Sequence, residues 1–227
     1  MSSLPPKPSA IADETLIGAD RALMVQHVRA ELRPAFEALW AIDAAMGDVV
    51  ARSTEPALAA IKLAWWRDQL EALDSGGPPA EPTLQAVAGH LLPRGVSAAE
   101  LAELERGWAT LLDPEVDAGL VAERGATLFR LGSRLMNSED PRLSDAGALW
   151  ALVAVGRRGV PELLGPAGEH LQRIGGHRFA RGVRALTGLA RLAARDLRHG
   201  EPFEPEGTAG RAAEMLRHRW TGIVSRG

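Results

Sequence analysis

Apolar residues in this chain recur at intervals of three and four, and no segment alternates convincingly at the period of two that a half-buried strand requires. From Arg33 to about Ser53, the residues Phe36, Leu39, Trp40, Met46 and Val50 fall on one face, the stripe of a helix laid on a core. Asp20 is placed to cap an earlier helix running to about Ala30. Pro56 suits the first turn of the next helix, where its missing N–H removes no hydrogen bond, and that helix extends to Leu73. The segment Asp74–Pro82, dense in Gly and Pro, is a loop. A shorter helix near Leu84–Leu92 precedes a capping box in which Ser97 and Glu100 open a helix to about Leu112. Asp113, Pro114 and Glu115 start another, ending near Met136 with Asn137 as its stop. Ser144–Gly156 is apolar on nearly every side, which predicts a helix at the centre. Gly165–Gly176 is weakly patterned. Arg178–His199 is a strong helix with Val183, Leu186, Leu189, Leu192, Ala193 and Leu197 inward, stopped by Gly200 and Pro202. A last helix spans Ala209–Thr221.

This pattern predicts one all-α domain over residues 13–227, a bundle of about 8–10 helices. Residues 1–12, rich in Pro and Ser, are expected to form a disordered tail. A chain of 227 residues with a 46% apolar share can bury a sizeable core. A net charge of −3 gives no electrostatic reason to expect nucleic acid as a partner. Lysine occurs only at Lys7 and Lys62, so arginine supplies nearly all the positive charge by compositional habit, and single arginines carry little functional weight. The absence of cysteine removes disulfides, thiolate catalysis and thiolate metal sites together. The first ten residues lack the apolar core of a secretory signal, and the longest apolar run, Ala146–Gly156, is too short to cross a bilayer. The expectation is a soluble cytoplasmic protein, peripheral at most to the inner face of a membrane.

The common catalytic signatures are missing: no nucleophile elbow, zinc-binding H-E-x-x-H, phosphate-binding P-loop or dinucleotide fingerprint. His27, His90, His170, His177, His199 and His218 are scattered, none spaced as a helical ligand pair, which favours structural or surface roles. Carboxylates one helical turn apart would hold Mg²⁺ on one helix face. Asp43 and Asp48 are five apart and diverge by roughly 140°, so they do not readily share an ion. Asp113 and Asp117 have the spacing but read as a helix cap and a first-turn partner of the helix dipole. Asp68 and Glu71 share a face beside Arg67, best read as solvated. Trp65 and Trp66, at about 100° to one another, cannot fill one pocket together; one is expected to pack inward and the other to cover a neighbouring helix.

Several segments in order resemble the squalene/phytoene synthase family: Asp20-Arg21, Arg33-Pro34-Ala35, LWAID from Leu39 to Asp43, LAWWRDQL from Leu63 to Leu70, Leu92-Pro93-Arg94, and AERGATLFRLGSRL from Ala122 to Leu135. Together they cover most of residues 20–160. The resemblance implies an all-α isoprenoid synthase fold whose cavity holds two prenyl diphosphates. Two aspartate-rich motifs would hold Mg²⁺. The chain departs from that pattern where the chemistry lies. The first motif falls on Val50, Ala51 and Thr54, and the second on Gly147–Arg158, which contains no acid. The family's tyrosines are absent, with Leu120 and Ala122 near their places. Arg157, Arg158, Arg191, Arg195 and Arg198 are candidates to replace part of the missing positive charge. Ser53–Pro56 before LAWWRDQL is similar to a branch of the superfamily that has lost the same acids, which includes a mitochondrial complex I assembly factor.

The resemblance implies a cavity lined by Trp40, Asp43, Gly47, Val50, Trp66, Arg67, Arg124, Thr127 and Trp150, with no catalytic residue, no metal ligand and no cofactor. The leading expectation is a binding or assembly module that has lost head-to-head prenyl transfer. It would act near a membrane-bound complex and hold a prenyl or other apolar ligand. The alternatives are an active Mg²⁺-dependent prenyltransferase with displaced carboxylates and an isoprenoid or lipid carrier without chemistry. If Trp40, Met46, Trp66 and Trp150 fill the interior, no prenyl chain fits.

Overall fold

The computed structural model describes residues 18–224; the tail expected over residues 1–12 lies outside them. Eleven α-helices and no strand occur among the described residues. They are α1 Ala19–Gln26, α2 Arg33–Arg52, α3 Pro56–Ala72, α4 Pro82–His90, α5 Ala98–Ala102, α6 Leu104–Ala109, α7 Ala118–Leu135, α8 Leu143–Gly156, α9 Leu164–Ile174, α10 Arg184–His199 and α11 Ala209–Thr221. They form one helical domain.

The apolar run at α8 becomes the centre of the bundle. Its residues Ala146 to Val153 are all buried, with α7, α9 and α10 packed around them. The approach of α7 to α8 is set by glycines. A Cβ on Gly125 would lie 2.1 Å from the Gly147 carbonyl oxygen, and one on Gly147 would lie 2.2 Å from that of Gly125. The backbones touch where side chains would otherwise hold them apart. On one flank α2 lies against α4 and α3 packs on α5; on the other α11 covers α10. The fully buried Trp40, Phe36, Leu39, Ile42 and Met46 bring the apolar stripe of α2 into the same core.

Several ends differ from the sequence expectation, each for a local reason. Asp20 lies inside α1, capped by Gly18, because its buried carboxylate is committed to Arg211. That helix stops at Gln26, before a 3-10 turn at Ala30–Leu32. The capping box at Ser97 and Glu100 is present, yet the helix breaks at Glu103 into α5 and α6. Asp117, not Asp113, caps α7, accepting from the N–H groups of Gly119 at 2.7 Å and Leu120 at 3.2 Å. Asn137 then takes a φ of 47°, a left-handed conformation that asparagine tolerates and that stops the helix. α10 begins only at Arg184, because Arg178 instead bridges to Ile223 and a 3-10 turn covers Arg181–Val183. Val50 and Leu197 end up half-buried. The weakly patterned stretch is α9, opened by a 3-10 turn at Pro161–Leu163.

Two predictions test this packing. Gly125→Ala or Gly147→Ala should destabilise the fold by about 3 kcal/mol or more, read as a lowered urea midpoint, because the clash is with backbone that cannot rotate away. His218 is fully buried, its Nε2 2.8 Å from the Thr187 hydroxyl and its Nδ1 3.3 Å from the Ile223 carbonyl. Burial pushes its pKa down to about 4. The unfolded chain binds a proton from about pH 6.5 downward, whereas the folded state does not until about pH 4. Its contribution is thus whole above pH 6.5 and lost as the pH falls toward 4, by about 3 kcal/mol. His218→Gln should flatten the stability profile across that window in urea titrations at successive pH values.

Candidate functional site

Asp43 falls on the apolar stripe of α2, four residues after Leu39, so folding carries its carboxylate into the core. A buried carboxylate needs charged hydrogen-bond partners, and three elements supply them. Arg124 of α7 donates to Oδ1 at 2.6 Å, the Trp108 indole of α6 to the same oxygen at 3.0 Å, and Arg21 of α1 to Oδ2 at 3.2 Å. The Arg124 guanidinium also lies over the Trp108 ring, 3.9 Å from its centroid. Trp40 meets Trp150 edge to face at 5.3 Å, and Trp150 stacks on Phe129 at 5.9 Å. Gly47 leaves room for Trp108, since a Cβ there would lie 2.8 Å from its ring.

The space among Asp43, Arg21, Arg124, Trp108 and Trp150 is about 20 Å³. That holds one water molecule and no more. Trp40, Met46 and Trp150 are buried side chains of the core, and Trp66 is half-buried on α3.

A second set of charges continues from the first along the same end of the bundle. Glu206 pairs with Arg158 at 3.5 Å and accepts from the Asp20 N–H at 3.4 Å. Asp20 accepts from the Gly207 N–H at 3.0 Å and from Arg211 at 2.6 and 2.8 Å. Arg211 also donates to Asp196 at 2.7 and 3.1 Å, and Arg157 reaches the same carboxylate at 2.6 Å. Burial works against the charge of Arg211, but its hydrogen bonds to Asp196 and Asp20 outweigh this and hold its pKa above the ordinary value. At Arg21 burial wins over the attraction of Asp43 and lowers the pKa. The network ties α1 to α10, α11 and the loop before α11.

Of the residues expected to line a cavity, Trp40, Asp43, Gly47, Arg124 and Trp150 do come together. The others do not join them. Arg67 points to solvent and donates to Asp68 at 2.9 and 3.2 Å. Trp66 is half-buried and packs inward against the core from α3, as expected for one of the pair, whereas Trp65 is exposed and meets it edge to face at 5.0 Å. Val50 packs at the core's margin, about 10 Å along α2 from Asp43. Thr127 is buried, its hydroxyl accepting from Arg130 at 3.3 Å. Trp108, Asp196, Glu206 and Arg211 are the members that sequence reasoning does not anticipate, while Asp20 enters it as a cap and, with Arg21, as part of the resemblance. For Asp196 and Arg211 the signal is a charged residue on a helix among apolar neighbours.

These residues do not fit a Mg²⁺ site. Asp43 is saturated by guanidinium and indole donors, while Asp48 turns away to Arg52 at 3.1 Å. Asp68 and Glu71 are exposed on α3, and Thr54 lies past the end of α2. Among the described residues no three His, Asp or Glu side chains converge as metal ligands. The arginines suggested as substitutes for metal charge are in use: Arg157 on Asp196, Arg158 on Glu206, Arg191 on Glu214 at 2.8 Å and Arg195 on Glu204 at 2.7 Å. Arg198 is exposed. No helix among the described residues is long and apolar enough to cross a membrane.

Removing the carboxylate at the centre should strand two cations. Asp43→Ala is expected to cost about 3–5 kcal/mol in urea unfolding. Asp68→Ala, which breaks only the exposed pair with Arg67, should cost less than about 1 kcal/mol. Equal losses would show that Asp43 is no more central than a surface acid.

Comparison with known proteins gives no match to a family model, to a curated protein or to a solved structure.

Proposed function

We propose that this chain is a non-catalytic relative of the squalene/phytoene synthases, serving as a binding or assembly module on a helical scaffold. The observation that carries the reading is the environment of Asp43. The acid nearest the expected reaction centre is neutralised by Arg21 and Arg124 beneath Trp108, in a space of about 20 Å³. Two diphosphates brought there would face one another without a divalent cation, and their repulsion in an apolar interior would be severe. The departures at Val50, Ala51 and Thr54, and the lack of acid in Gly147–Arg158, support the same reading. The buried charges are used to hold helices together, a role for which ion pairs need no access to solvent.

The test is incubation of the purified chain with farnesyl or geranylgeranyl diphosphate and Mg²⁺. No pyrophosphate release is expected, and no coupled C30 or C40 product. Either product would overturn the proposal. Thermal stabilisation by a prenyl alcohol without Mg²⁺ would instead favour a lipid carrier, and would require the packed interior around Trp40 and Trp150 to open.

A further inference from the structure

We propose that the face formed by the C-terminal end of α11 and the turn leading into α10 docks on an anionic lipid bilayer. The inference stands apart from the reading of the interior, since it uses none of those residues. Trp220 is 75% exposed and Leu216 is 53% exposed. They are one turn apart on α11 and therefore share a face. Arg181, Arg184 and Arg219 line a cleft of about 420 Å³ with these two side chains. A second cleft, about 430 Å³, extends from Arg181 and Arg219 past His27 and Arg29.

The arginines here differ from those that tie the helices of the core together. Arg124, Arg157, Arg191 and Arg211 each have a carboxylate. Arg184 instead donates to the carbonyls of Phe179 at 2.9 Å, Arg219 at 3.3 Å and Trp220 at 3.1 Å. Among the described residues, no carboxylate pairs with the side chains of Arg178, Arg181 or Arg219. Burial, followed by the nearby Arg178, Arg181 and Arg219, lowers the pKa of Arg184. In a chain of net charge −3 this positive field is local, not a consequence of composition.

The combination selects the occupant. A free phosphate would need the guanidiniums but gives no reason for an indole and a leucine to face outward beside them. A stable protein partner would bury roughly 800 Å² on each side around an apolar centre, and Leu216 and Trp220 are the large apolar side chains exposed on this face among the described residues. A bilayer needs only a shallow apolar insertion backed by charge. Trp220 would lie among the headgroups, with Leu216 entering the acyl boundary and Arg181 and Arg219 meeting lipid phosphates.

Co-sedimentation of the full chain with vesicles tests this. Binding is expected on phosphatidylcholine mixed with an equal part of phosphatidylglycerol, and should fall at least about tenfold on phosphatidylcholine alone. It should be lost at about 1 M salt, where the screening length is about 3 Å. The double variant Arg181→Gln/Arg219→Gln should remove the preference for anionic lipid. Leu216→Ser/Trp220→Ser should weaken binding to the anionic vesicles. Both variants should retain the wild-type unfolding temperature, because the exposed side chains contribute little to the core. Equal binding to both vesicles, no binding to either, or variants that bind like wild type would overturn the proposal. So would the same arginine dependence for inorganic polyphosphate or single-stranded RNA without vesicle binding.

Discussion

A carboxylate placed inside an apolar helix face must find cations or the helix cannot be buried. Asp43 imposes that constraint on α2, and much of the architecture follows from meeting it. Arg21 brings α1 to the carboxylate, Arg124 brings α7, and Trp108 brings α6. Asp20 and Asp196 repeat the arrangement one step away, with Arg211 between them holding α11 against α1 and α10. Such pairs are specific more than strongly stabilising, because desolvation offsets much of their attraction. Their effect is to make wrong dockings of these helices costly, since each would leave a charge stranded.

The apolar contacts act with this network. Gly125 and Gly147 let α7 and α8 approach to backbone contact, which places Arg124 and Trp150 on neighbouring surfaces. Trp40, Trp108 and Trp150 then surround the guanidinium-carboxylate pair. The same contacts order the interior and leave a space of about 20 Å³ beside Asp43.

The molecule's surface follows a different logic. Leu58, Ile61 and Trp65 form an exposed apolar stripe on α3, and Leu216 and Trp220 form another on α11. The second lies among arginines without acidic partners, whereas the first has Lys62 and the Arg67–Asp68 pair nearby. Burial explains neither stripe.

The sequence alone determined the helical class, the central place of Ser144–Gly156, and most of the helix starts that depend on local chemistry. Pro56 at a first turn, the Ser97–Glu100 box and the span Ala209–Thr221 were all legible, because caps and periodicity act within a few residues. The partners of Asp43 were not. Its position on the stripe with Leu39 and Met46 showed that it would be buried, but Arg21, Trp108 and Arg124 lie 22, 65 and 81 residues away. Asp20 was misread as a cap for the same reason, since its partner Arg211 is 191 residues distant. Trp66 and Arg67 also followed from tertiary context, because helix phase fixes the angle between neighbours but not which face meets the core. Local chemistry chooses the element; the pairing of buried charge, which is blind to distance along the chain, is decided only when the helices meet.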